Sequence, residues 1–98
     1  MKRQDVLDKL KINRHLLDCY NVRALYLFGS LARDDAGPRS DADLLVEFQP
    51  DARIGLFAFI RLQKTLETIL SCKVDLVTPD ALHTALKDRI LKESIRAA

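Results

Sequence analysis

Residues 22–48 read VRALYLFGSLARDDAGPRSDADLLVEF and hold two short apolar runs joined by a polar connection. The first run, Val22–Phe28, is rich in residues that favour β-structure, and it stops at Gly29. The second run, Asp41–Phe48, alternates so that apolar residues occupy one face and both of its aspartates share the other. The stretch therefore predicts two neighbouring strands whose connection carries polar and charged residues.

Helical periodicity surrounds these two runs. Apolar residues recur at helical spacing before the first run, after the second and near the end of the sequence. A third short apolar run contains one acid and ends at Thr78-Pro79, which predicts a third strand. The predicted elements are a helix over 4–18, a strand over 22–28, a short helix over 30–35, a loop over 36–40, a strand over 41–48, a helix over 54–70, a strand over 73–77 and a helix over about 80–96. This order predicts one α/β domain, residues 1–98, built around a small sheet.

Composition excludes several classes of protein. The 98 residues are 48% apolar and 31% charged, which is typical of a soluble globular domain. The longest purely apolar run, Ala24–Phe28, is far shorter than the roughly 18–20 residues of a membrane span, so we expect a cytoplasmic protein. A net charge of +2, with scattered basic residues, gives no reason to expect direct nucleic-acid binding. Cys19 and Cys72 lack metal-ligand spacing, so neither structural zinc nor a disulfide framework is expected.

Three acids are the candidate metal ligands. Asp41 and Asp43 lie two residues apart on a predicted strand, so both carboxylates leave the same face. Two like charges this close disfavour joint ionisation unless a cation lies between them, and Mg²⁺ binds carboxylates together with substrate phosphates. Asp75, in the third predicted strand, would join the cluster if that strand lay beside the second. The sequence leaves this strand order open.

The Gly29-Ser30 pair is the candidate phosphate site. Glycine lets a ligand approach the backbone closely, and the N–H groups at the start of a helix attract anions. Ser30 adds a hydroxyl, while Arg33 either reaches a phosphate or pairs with a neighbouring acid; both interpretations stand equally. A phosphate site next to metal-binding acids indicates metal-assisted attack on the α-phosphate of a nucleotide.

The complete motif resembles that of the polymerase-β-like nucleotidyltransferase superfamily, and specifically its minimal, single-domain branch. The likeness covers nearly the whole chain, and it implies a nucleotidyltransferase fold with a small mixed sheet of about three to four strands flanked by helices. The resemblance also implies roles for five residues: Gly29 and Ser30 hold the nucleotide phosphates, Asp41 and Asp43 bind Mg²⁺, and Asp75 completes the metal site and helps to activate the nucleophile.

The same resemblance implies a partner. Members of this branch often pair with a small HEPN-domain RNase toxin, and some neutralise it by transferring AMP from ATP to one of its tyrosines. Relatives that modify antibiotics or RNA carry a further substrate-binding domain, for which 98 residues leave no room. We therefore expect an Mg²⁺-dependent protein adenylyltransferase that acts as an antitoxin. Two alternatives stay open: an antitoxin that masks its partner without catalysis, and a subunit of a small-molecule or RNA nucleotidyltransferase.

Overall fold

The structure is a computed structural model that describes residues 2–33 and 41–98. Its elements are α1 (Arg3–Ile12), α2 (Arg14–Cys19), β1 (Val22–Phe28), α3 (Gly29–Ala32), β2 (Ala42–Phe48), α4 (Leu56–Leu70), β3 (Val74–Val77), a 3-10 turn (Pro79–Ala81), α5 (Thr84–Glu93) and β4 (Ile95–Arg96). The predicted loop over 36–40 and the last two residues of the predicted short helix lie outside the described residues.

The described strands form one mixed sheet with the order β3-β2-β1-β4. β1 pairs antiparallel with both β2 and β4, whereas β2 and β3 run parallel. Leu44 and Leu45, adjacent in β2, point to opposite faces of the sheet and are both fully buried. The predicted small mixed sheet flanked by helices is confirmed.

The apolar faces of the helices form the core with this sheet. α1 packs against α4, α4 against β3, and α5 against both β1 and α3. The core includes Val6, Leu10, Leu17, Leu25, Leu27, Leu44, Val46, Leu62, Leu66 and Leu70. Among the described residues, no helix combines the length and the apolar character needed to cross a membrane.

The predicted first helix is in fact two helices that meet at Asn13. The backbone at Asn13 leaves helical geometry, with φ −100° and ψ 19°. Its side-chain amide donates a hydrogen bond to the carbonyl oxygen of Lys9 at 2.8 Å. Asparagine side chains compete with helical backbone hydrogen bonds in this way, and apolar periodicity does not reveal such a break.

The predicted bounds of the last helix, 80–96, were wrong at both ends, because the helix spans Thr84–Glu93. The 3-10 turn and the extended backbone of Leu82, with ψ 143°, delay the start of α5 until Thr84. Ile95, which matched the helical apolar spacing, lies instead in β4 and pairs with β1. Such a short edge strand depends on a distant partner strand, so local pattern did not predict it.

We expect Leu44→Ala to lower the free energy of unfolding by about 2–5 kcal/mol, because this side chain is completely buried in the central strand. Urea denaturation measures the change. The control is Ile12→Ala, at a side chain that is 75% exposed, where the change should stay within about 0.5 kcal/mol. Equal losses in the two variants would contradict the described core.

Candidate active site

The ends of three strands meet at the candidate site. Asp43 lies near the start of β2 and has two neighbours across the sheet: Phe28 at the end of β1, and Asp75 near the start of β3. The two carboxyl groups are close enough that Asp75 disfavours the ionised form of Asp43. The strand order that the sequence left open thus places Asp75 directly beside the second acid of the Asp41-Ala42-Asp43 motif.

The electrostatics of Asp43 reflect this crowding. Burial raises the pKa of its carboxyl above the usual range, and the neighbouring Asp75 carboxyl raises that pKa further. The Asp41 charge acts in the same direction, whereas the Arg33 guanidinium opposes them. A cation bound beside Asp43 would offset this repulsion and favour its ionised form.

Oxygen donors of this kind fit a hard divalent cation such as Mg²⁺, which takes one or two carboxylates and fills its other positions with water or phosphate oxygens. Within residues 2–33 and 41–98, no three His, Cys, Asp or Glu side chains form a group that could hold a metal ion. The structure brings together Asp43 and Asp75, while Asp41 precedes β2. That all three acids bind the metal stays a prediction.

Gly29 makes room for the Asp43 carboxylate. Its φ of +74° lies in the left-handed region, and a Cβ at this position would overlap Asp43 Oδ2 and lie 3.1 Å from Asp43 Cγ. Both observations require glycine. The sequence predicts only phosphate binding for Gly29, because its contact with Asp43 forms only when β1 and β2 are paired.

An open cleft of about 610 Å³ is lined by Gly29, Arg33, Asp43 and Asp75 together with residues of α5. Ser30 and Asp41, also predicted as site residues, are outside its lining. A larger groove of about 800 Å³ lies beyond the other ends of β2 and β3, and shares only Leu76 and Val77 with the cleft. We centre the candidate site on the smaller cleft because it contains the paired acids.

Two side chains of α4 that the sequence analysis did not single out hold β3 in place. Gln63 Nε2 donates to the carbonyl oxygen of Val74 at 2.9 Å, and the Val74 N–H donates to Glu67 Oε2 at 3.2 Å. Val74 immediately precedes Asp75, so this Gln63–Glu67 clamp fixes the backbone next to the acid. The sequence shows that the two residues lie one helical turn apart, but it does not show that both bond to the backbone of Val74.

Comparison with known proteins gives concordant matches. Residues 9–97 match the family described as "Nucleotidyltransferase domain". The protein named "Putative protein adenylyltransferase MJ0435", of Methanocaldococcus jannaschii, is 40% identical over 76 residues, which cover 78% of this chain and 80% of that protein. Protein adenylyltransferase MntA of Thermococcus cleftensis is 34% identical over 82 residues, covering 84% of this chain and 81% of that protein.

Solved structures share the fold. The "Structure of putative minimal nucleotidyltransferase" superposes with a TM-score of 0.82 at 30% identity, covering 97% of this chain and 95% of that chain. A complex of a tri-AMPylated Shewanella oneidensis HEPN toxin with an MNT antitoxin matches with a TM-score of 0.66 at 24% identity, covering 96% of this chain and 71% of that chain. The second likeness concerns the fold alone.

We expect Gly29→Ala to lower the free energy of unfolding by about 2–4 kcal/mol, because it combines left-handed backbone strain with overlap against Asp43. The matched control is Gly55→Ala, where φ is −82° and an added Cβ meets nothing within 4 Å. Its cost should stay below about 1 kcal/mol. Chemical denaturation of both variants tests the contact, and equal losses would contradict it.

We expect Asp43→Asn to raise Tm by a few degrees at neutral pH without divalent cations. The raised pKa means that folded Asp43 holds its proton more tightly than the unfolded chain does, so stability is lost as pH rises through that pKa. The asparagine variant lacks this loss. Thermal melts across the acidic-to-neutral range measure it, with Asp51→Asn, at an exposed position outside the cleft, as control.

Addition of Mg²⁺ should reverse the order of the two proteins. The cation would stabilise the wild type by binding the ionised acids, and would stabilise Asp43→Asn much less. If Mg²⁺ raises the Tm of both proteins equally, Asp43 does not contribute to a metal site.

Proposed function

Because the chain belongs to the nucleotidyltransferase family, in its minimal single-domain branch, we propose that it transfers AMP from ATP to a protein acceptor. The observation that carries this proposal is the cleft in which the Asp43–Asp75 pair lies beside Gly29 and Arg33. Paired acids and an adjacent glycine turn with a basic residue meet the two requirements of the reaction, a metal site and a phosphate site.

The proposed roles follow from position. Gly29, Ser30 and Arg33 bind the phosphates of ATP, and Asp41 and Asp43, with Asp75, hold Mg²⁺. When bound, Mg²⁺ would neutralise charge on the triphosphate and favour the ionised form of the acceptor hydroxyl. The acceptor oxygen forms a bond to the α-phosphorus, the bond to the bridging oxygen breaks, and pyrophosphate leaves. Asp75 is the most exposed of the three acids and accepts the proton of the hydroxyl.

The acceptor that we propose is a tyrosine of a cognate HEPN RNase toxin, with this chain as the antitoxin. Two related proteins carry the name protein adenylyltransferase. The fold is shared with an MNT antitoxin that was solved together with a tri-AMPylated HEPN toxin. Since the reaction consumes ATP, we place it in the cytoplasm.

The direct test combines the purified chain, Mg²⁺, ATP labelled at the α-phosphate and the proposed partner, a cognate HEPN protein. We expect label on the HEPN protein and a mass increase of one AMP per modified tyrosine. ATP labelled at the γ-phosphate should leave no label, because pyrophosphate departs. Chelation of Mg²⁺ should abolish transfer.

We expect the double variant Asp41→Asn with Asp43→Asn to reduce transfer at least about 100-fold, since it removes two proposed metal ligands. Asp51→Asn, outside the cleft, should keep the wild-type rate. Full transfer by the double variant would overturn the proposal.

Two further outcomes would favour the alternatives. Neutralisation of the toxin by the double variant, without a mass change, would indicate an antitoxin that acts by binding alone. Label on RNA or on a small molecule, and none on protein, would indicate a different acceptor class.

A further inference from the structure

One wall of the cleft comes from α5, and the proposed reaction does not yet use it. Leu86, Arg89, Ile90 and Glu93 follow one another at helical spacing on one face of α5, and all four line the cleft. Ile90 is only 9% exposed, and α5 packs against β1 and α3, so the helix is held in place. Leu86, by contrast, is 47% exposed.

We propose that this α5 wall, with Leu86 at its centre, binds the base of the donor nucleotide; the inference rests on the proposed function. Among the described residues that line the cleft, Leu86 is the most exposed apolar side chain. An apolar side chain exposed inside a ligand cleft gains free energy when a flat, weakly hydrated surface covers it.

The connectivity of a nucleotide favours the base as the group that covers Leu86. A triphosphate held at Gly29, Arg33 and the acids keeps its base attached through the ribose to the α-phosphate. The base must therefore lie within the same cleft or at its rim. Of the apolar residues in the cleft, Leu76 belongs to the sheet and is 8% exposed, so it offers little surface, whereas Leu86 of α5 is 47% exposed.

The acceptor has a separate approach. The larger groove meets the cleft at Leu76 and Val77, directly after Asp75, and contains no member of the acid pair. We assign this groove to the acceptor because it is lined by the two residues that follow Asp75, and this assignment leaves the α5 wall to the donor.

The Leu86 side chain can contact the face of a base but cannot recognise its hydrogen-bonding edge, and the two charged members of the wall, Arg89 and Glu93, pair with each other at 3.7 Å. Contacts to the face of a base tolerate any base, because every base has one. Leu86 should therefore contribute equally to the binding of ATP and GTP, and nothing to the binding of a ligand that lacks a base.

Calorimetric titration with ATP, GTP and inorganic tripolyphosphate, in the presence of Mg²⁺, tests whether the α5 wall binds the base. We expect Leu86→Ala to weaken ATP and GTP binding by about five- to tenfold, by loss of apolar contact, and to leave tripolyphosphate binding unchanged. Leu86→Met, which restores apolar contact, should recover most of the affinity. The matched control is Leu91→Ala, on the same helix, 37% exposed and outside the cleft, which should bind all three ligands like the wild type.

The outcomes separate the two proposals. Unchanged ATP affinity in Leu86→Ala would overturn the inference and leave the proposed function intact. Unchanged ATP affinity together with a slower labelling of the HEPN protein would assign the wall to the acceptor, and would also overturn the inference. Failure of the wild type to bind either ATP or tripolyphosphate would contradict the proposed function itself.

Discussion

The structure depends on the parallel pairing of β2 with β3, which sets two acids side by side. The crossover between these strands is made by α4, and a helix is the usual way to join two parallel strands. Because the strands run in the same direction and in this register, Asp43 and Asp75 lie near the starts of both. β1 runs the opposite way and ends at the same place, so the glycine that follows it meets the acids.

The meeting of these acids at the strand ends lowers the stability of the folded chain but creates a site that can bind a ligand. Burial and two neighbouring acids raise the pKa of Asp43, so its ionised form costs free energy in the folded chain. The chain accommodates this through the absent side chain at Gly29, the opposing charge of Arg33 and the solvent exposure of Asp75. A folded protein tolerates such strain where a ligand relieves it, which is why these features point to a site.

Much of the fold follows from local pattern, and the rest depends on pairing between distant residues. Short β-rich runs predicted β1, β2 and β3, and apolar periodicity predicted α4, because these signals are local. At the Asn13 break the side-chain amide bonds the carbonyl oxygen of Lys9, and β4 is defined by its pairing with β1. Likewise, the motif identified Asp43 and Asp75 as candidate site residues, but their contact could not be predicted without knowing the strand order. Leu86 fits the apolar spacing of the predicted last helix, but the structure leaves it 47% exposed in the lining of the cleft.

The Gln63–Glu67 clamp has a consequence for how this chain can meet other proteins. β3 is an outer strand of the sheet, and outer strands offer free N–H and C=O groups with which a foreign strand can pair. Here the N–H and C=O groups of Val74 are already bonded to side chains of α4. A partner therefore cannot extend the sheet alongside Val74 without displacing both side chains. Association next to Val74 therefore proceeds through side-chain surfaces, which leaves the backbone that precedes Asp75 undisturbed when a partner arrives.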